Sequence, residues 1–311
     1  MGWKIVHLSR PCKIKVVSEN LLIHFYDDDQ KVKVTLGDID FILFDNTHFS
    51  ITGTSLELLA KNNIAALFID EEFHPCAILS PYHQHSTMRE IADLQVSIPQ
   101  DFREIIWKKI VTCKIQNQAS VLEFFVNPTC KDLLELAKKV QLYDQNQDEA
   151  QAARLYWKSF FKEKSFRRDQ KSEDILNSML NYSYAILRAS AARSVSASGM
   201  LPVFGIWHKN RYNAFALVDD LMEVFRPVCD LHVKLLYETR YNRENTLKLE
   251  IKRDLASLLS MQCIKYQTGI SSVSQAVDSF IREYKKVMMS GEVEALAFPS
   301  IDFGFFEYEC I

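Results

Sequence analysis

The stretch SIPQDFREIIWKKIV, from Ser97 to Val111, is where the chain changes grammar. After Pro99 the apolar residues Phe102, Ile105, Ile106, Ile110 and Val111 recur at three- and four-residue spacing, the period of an amphipathic helix. Before it the pattern is different. KVKVTL sets Lys31 and Lys33 on one face and Val32, Val34 and Leu36 on the other, the period-two signature of a strand. NLLIHFY precedes it across Asp27, Asp28 and Asp29, which predicts a hairpin with an acidic turn. DIDFILF, IAALFID and HPCAILS add buried strands. Between them, Thr54 with Glu57 predicts a capping box for one short helix that stops near Asn62 and Asn63. The fold class is therefore α+β. A small β-rich domain over residues 1–82 precedes an α-helical domain over 99–311, and the polar stretch 83–98 is read as their linker. His83 and His85 in that stretch lack Cys, Asp or Glu partners at ligand spacing and are read as linker residues.

Helical periodicity continues through roughly 131–140, 149–163, 172–197, 213–225, 228–239, 246–259 and 272–290. The tail FPSIDFGFFEYECI is aromatic without a helical pattern. No run of about 18 apolar residues predicts a membrane span. MGWKIVHLSR carries no apolar signal core, which argues against export. The seven cysteines are scattered without a C-x-x-C pair, which fits small core residues in a reducing, cytoplasmic setting. The net charge of −3 excludes no partner class, because nucleic acid responds to local charge. One window is basic: Arg154 to Lys171 holds seven Lys or Arg against two acids. Its aromatic residues, Tyr156, Trp157, Phe160, Phe161 and Phe166, read as core.

Three helical-domain segments carry chemistry. In FALVDDLMEVFRP, Asp219, Asp220 and Glu223 fall within one arc of an otherwise apolar helix, either as a solvated face or as a metal edge. In DEAQAARLYW, Glu149 sits at a helix start, where the dipole alone favours an acid. Small Ala150, Ala152 and Ala153 beside it would permit close approach. In GIWHKNRYN, His208 lies in a loop whose Lys209, Asn210 and Arg211 suit a phosphate. Carboxylates with one imidazole and no thiolate suit Mg²⁺ or Mn²⁺ rather than structural zinc. Spacing alone leaves a generic helical core open.

Taken in order, the segments resemble the CRISPR-associated integrase family, Cas1. The resemblance rests on E-A-x-A-A-R-x-Y-W at Glu149 to Trp157, G-x-x-H at Gly205 to His208, and D-x-M-E-x-F-R-P at Asp220 to Pro227. LNYSYAILRA from Leu180 is also similar to a family helix, and the resemblance covers essentially the whole chain. The start MGW, Glu rather than Asp at 223, and the length resemble the type II branch.

The resemblance implies metal-dependent transesterification. In it, free 3′-hydroxyls of short DNA fragments are joined into the CRISPR repeat at its leader end. It implies Glu149, His208 and Glu223 as the metal-binding catalytic residues, with Asp220 as an auxiliary ligand or as support for one. Asp219 is left to solvent. Arg154, Lys158, Lys209, Arg211 and Arg226 are candidates for DNA contact, Arg226 equally for helix C-terminal capping. The implied partners are double-stranded DNA, a second copy through the β domain, a Cas2 dimer in a hetero-hexamer, and Cas9. Two rival readings remain at this point: a stand-alone structure-selective nuclease with water as nucleophile, and a non-catalytic DNA-binding scaffold subunit.

Overall fold

The structure, a computed structural model, describes residues 4–69, 75–79, 87–142, 147–161 and 166–309. The chain divides into two units, Met1–Ser86 and Thr87–Ile311. The first is built from β1 (Lys4–Leu8), β2 (Cys12–Val17), β3 (Asn20–Phe25), β4 (Lys31–Thr35), β5 (Ile39–Phe44), β6 (Phe49–Ile51), α1 (Gly53–Lys61), β7 (Ala65–Ile69) and β8 (Pro75–Leu79). One sheet runs in the order β1-β5-β7-β8, with β1, β5 and β7 parallel and β8 antiparallel; the other runs β4-β3-β2-β6. The predicted hairpin is present: β3 and β4 pair antiparallel from Asn20↔Thr35 to His24↔Lys31, and Asp29 takes a positive φ in the turn. β5 is buried along its whole length, Asp40 included, as a strand covered on both faces requires. Leu8, Ile14, Leu21, Ile42, Phe44, Leu59 and Ala66 form the core between sheets and helix.

The expected capping box on α1 is absent, and the N-cap lies two residues earlier than expected. Thr52, not Thr54, is the N-cap, and its hydroxyl accepts from the Ser55 amide. Glu57 instead pairs with Lys61 one turn along an exposed face. The reason is that Thr52 is the last residue with extended backbone, whereas Thr54 is already helical. Asn62 ends the helix as expected, followed by Asn63 at positive φ.

The second unit contains α2 (Met88–Ser97), α3 (Gln100–Phe124), α4 (Thr129–Lys139), α5 (Asp148–Phe160), α6 (Ile175–Ala197), α7 (Ala216–Met222), α8 (Arg226–Leu236), α9 (Leu249–Ala256), α10 (Val273–Ser290) and α11 (Gly304–Glu309). Helix α2 corrects the reading of 83–98 as linker. Its polar exterior hides a buried seam at Ile91 and Gln95, too short to register as a period. His83 and His85 lie outside the described residues.

The unit is also not purely helical. β9 (Ile264–Tyr266), β10 (Gly269–Ser271) and β11 (Ser300–Ile301) form a small antiparallel sheet. Two- and three-residue strands carry no detectable alternation. Part of the aromatic tail is strand and helix for the same reason. Between α7 and α8 the chain tightens to a 3₁₀ turn over Glu223–Phe225 and then continues, with Pro227 in the first turn of α8, where its missing N–H leaves no bond unmade.

Candidate active site

Helix α5 opens with Asp148 and Glu149 in its first turn. Its inner face buries Ala152, Tyr156 and Phe160, which fixes Glu149 on the same side. Tyr156, Trp157, Phe160, Phe161 and Phe166 pack as one aromatic cluster, as the sequence suggested. Helix α7 and the turn after it bring Asp220 and Glu223 inward, both buried. The solvated-face reading of these acids therefore fails, because each is met by internal partners.

Glu149 and Glu223 converge on one cation. Lys114, on α3, places Nζ 2.6 Å from Glu149 Oε1 and 2.5 Å from Glu223 Oε2. The Lys114 side chain is only 11% exposed. Arg226 holds the other Glu223 oxygen at 2.7 Å, and its guanidinium lies over the Tyr184 ring at 4.7 Å. Burial pushes Glu223 up, but Arg226 and Lys114 more than reverse this and hold it below the usual carboxylate range. Burial likewise pulls the Lys114 ammonium down, and Glu223 and Glu149 more than restore it. Arg226 is thus engaged inside the fold. It stands at a junction, as the C-cap of the 3₁₀ turn and the first residue of α8, with its guanidinium on the Glu223 carboxylate.

His208 is oriented from below. Asp220 is fully buried; its Oδ2 accepts from the amides of Ile206 at 2.6 Å and Trp207 at 2.8 Å, and its Oδ1 faces His208 Nδ1 in a short contact. The Asp220 carboxylate accepts from the imidazole, so Nδ1 carries a proton and, in the neutral ring, Nε2 keeps its lone pair. This hydrogen bond raises the His208 pKa against burial. Burial raises Asp220 itself, with His208 and the two amides opposing it.

Gly205 is required by this loop. A Cβ there would stand 2.5 Å from the His208 carbonyl oxygen and 3.0 Å from Asp220 Oδ2. The loop is also tied down from outside its own segment. Gln95 brackets Leu201 with two hydrogen bonds, and Arg103 donates to the Gly205 carbonyl at 2.7 Å. Trp207 stacks on Trp107 at 5.8 Å, with His208 against the Trp107 edge at 5.4 Å.

Asp219, expected to be solvated, forms a two-point ion pair with Arg188 of α6 at 2.6 and 2.7 Å and receives Asn213 as well. Beneath Arg226, Tyr184 donates to Asp230, whose carboxyl burial pushes up to about 7. Arg154, Lys158, Lys209 and Arg211 are exposed, on the outer side of α5 and on the His208 loop.

The sequence reading missed Lys114, Gln95 and Arg103. Lys114 had a signal: it lies three residues after Val111 and four after Ile110, on the buried face of α3, and a cation there demands an acid partner.

The donor set, two carboxylates and an imidazole Nε2, fits a hard divalent ion such as Mg²⁺ or Mn²⁺. The two carboxylates already hold a cation, the Lys114 ammonium. Among the described residues, no three of His, Cys, Asp or Glu are gathered closely enough to hold an ion as they stand. No helix among the described residues is long and apolar enough to cross a membrane.

Residues 6–262 match the family model of the CRISPR associated protein Cas1. The chain is 33% identical to the CRISPR-associated endonuclease Cas1 of Neisseria meningitidis serogroup C (strain 8013) over 306 residues, 97% of each chain. Its fold is similar to a casposase bound to integration product, with a TM-score of 0.78 and 22% identity over 99% of this chain and 95% of that one. It is also similar to a chain of a Cas6-RT-Cas1–Cas2 complex, with a TM-score of 0.74 and 18% identity over 94% of this chain and 36% of that one. The chain belongs to the CRISPR-associated Cas1 family.

Proposed function

We propose that this chain is a metal-dependent DNA integrase of CRISPR adaptation. It joins the 3′-hydroxyl ends of short DNA fragments into the CRISPR repeat. In each step the fragment's 3′-oxygen bonds to a repeat phosphorus, the phosphorus bond to the strand's own 3′-oxygen breaks, and the attacking hydroxyl's proton leaves with the departing oxygen. The observation that carries this reading is the convergence of Glu149 and Glu223, from separate helices, on a single cation beside His208. Glu149, Glu223 and His208 would hold Mg²⁺ or Mn²⁺, with Asp220 keeping His208 in the ligating tautomer rather than ligating itself. When bound, such an ion offsets charge developing on the attacked phosphate and favours the deprotonated hydroxyl.

The chain's own residues do the rest. Exposed Lys209 and Arg211 on the His208 loop, with exposed Arg154 and Lys158 on the side of α5 away from Glu149, would supply positive charge for DNA phosphates. Arg226 acts from inside, setting the Glu223 carboxylate. The family and fold likenesses support double-stranded DNA and a Cas2 dimer as partners. A second copy of the chain, the assembly of two such dimers on Cas2, and Cas9 as a fragment-selecting partner complete the proposal.

The curated name of the Neisseria relative, an endonuclease, favours a second reading in which water replaces the 3′-hydroxyl at the same site. A strand-transfer assay separates them. Protein, Cas2, a short duplex with free 3′ ends and a supercoiled plasmid carrying leader and repeat are mixed with Mn²⁺ or EDTA. Joining that depends on Mn²⁺ and is lost in Glu149→Ala and Glu223→Ala supports integration, with an expected loss of at least about 100-fold. Nicking without joining supports the nuclease, and full activity of either variant removes these acids from the site.

A further inference from the structure

Lys114 has an unusual position for a residue that neither the motifs nor the reaction requires. Its ammonium sits between the two carboxylates that the proposed function gives to a metal ion. Among the described residues it is the one cation paired with Glu149, whereas Glu223 has Arg226 as well. Glu149 and Glu223 come from different helices, and two partly buried like charges brought together repel unless something positive lies between them. Lys114 reaches that point from a third helix, α3, with a buried stem and a flexible four-carbon chain.

We propose that Lys114 is an internal counter-cation that holds Glu149 and Glu223 together in the metal-free protein and gives up that place to the divalent ion. The inference rests on the assignment of those two acids as metal ligands. The ammonium, 2.6 Å from Glu149 Oε1 and 2.5 Å from Glu223 Oε2, takes up the ground between the two carboxylates, and a divalent ion held by both would meet its positive charge at close range. Metal binding therefore competes with an ion pair already made. That competition weakens affinity, and it keeps the site assembled before the ion and DNA arrive. Lys114 is in this sense a positioning residue, acting through Glu149 and Glu223.

The test uses the full chain and Mn²⁺ alone. Binding is followed by loss of the free-ion EPR signal, and thermal unfolding is measured in EDTA and in excess Mn²⁺. Lys114→Met keeps the stem and removes the charge. It is expected to unfold at lower temperature than wild type in EDTA, to regain most of that difference with Mn²⁺, and to bind Mn²⁺ at least about tenfold more tightly, the effect of about 1.4 kcal/mol of lost competition. A merely structural lysine would lower the unfolding temperature equally in both conditions and leave affinity unchanged; that result, or weaker Mn²⁺ binding, overturns the proposal.

Glu149→Gln with Glu223→Gln, placed in the Lys114→Met background, separates the two levels of the argument. Loss of the tight binding there is expected. Mn²⁺ bound with undiminished affinity would show that the ion sits elsewhere, overturning the ligand assignment and the inference with it. If Lys114→Met does not fold, Lys114→Gln, which retains polarity without charge, is read by the same criteria.

Discussion

Replacing Asp220 separates the support of the site from its chemistry. The carboxylate is fully buried and serves three donors: the Ile206 and Trp207 amides on Oδ2 and His208 Nδ1 on Oδ1. Asp220→Ala leaves two buried amides without an acceptor and frees the imidazole, at an expected cost of about 3–5 kcal/mol. Asp220→Asn is the sharper perturbation. Its amide oxygen is claimed by the two backbone amides, which converge on one position, so its NH₂ must face His208. Nδ1 must then accept, the ring proton moves to Nε2, and the nitrogen meant for the metal is blocked. Neutral hydrogen bonds replace charged ones, but a buried charge is also removed, so the stability cost is only about 1–2 kcal/mol.

Urea unfolding followed by fluorescence reads the fold locally, because Trp107 and Trp207 stack beside His208. Strand transfer reads the site. Asp220→Asn should stay folded and lose about 10–100-fold in activity, the usual effect of a partner behind a metal-ligating histidine. Full activity in folded Asp220→Asn would refute the tautomer argument. An equal loss of stability in both variants would refute the assignment of oxygen and NH₂.

Two further outcomes follow from the same unit. Gly205→Ala should lose at least about tenfold in strand transfer with little change in overall helix content by circular dichroism, because its Cβ would meet the His208 carbonyl at 2.5 Å and must push the loop aside; wild-type activity would show that the loop position is not needed. His232 of α8 is buried with neither ring nitrogen hydrogen-bonded, and burial lowers its pKa from 6.5 to about 4, with Asp254 opposing and Arg240 assisting. The folded pKa lies below the unfolded one, so its contribution is complete above about pH 6.5 and is lost as pH falls towards 4, on the order of 3 kcal/mol in all; urea midpoints should fall over that window and His232→Leu should flatten the decline, whereas an unchanged slope in the variant would exclude His232 as its source.

Much of this protein was written along the chain. The alternation around Val32 and Val34 and the helical period after Pro99 announced a β-rich unit and then a helical one, because each element presents its apolar residues at its own repeat. The order of Glu149, His208 and Glu223 within their motifs announced the family. Local signals failed where the deciding partner was distant or the element short. The N-cap of α1 moved to Thr52 because backbone conformation, not residue type, selects the cap. Helix α2 was hidden because only Ile91 and Gln95 face inward, and Gln95 earns its burial by bracketing Leu201, far along the chain.

The sequence by itself could name the acids of the α7 segment but not tell which way they look. Helical spacing puts Asp219, Asp220 and Glu223 on one arc, and an arc can face water, an ion or another helix. Packing against α3 and α6 decided it, giving Asp219 to Arg188, Asp220 to His208 and two amides, and Glu223 to Lys114 and Arg226. Periodicity is a property of one helix, whereas a buried charge is tolerable only where an opposite charge or donor is brought to it. That partner comes from elsewhere in the chain, so only the tertiary structure could supply it.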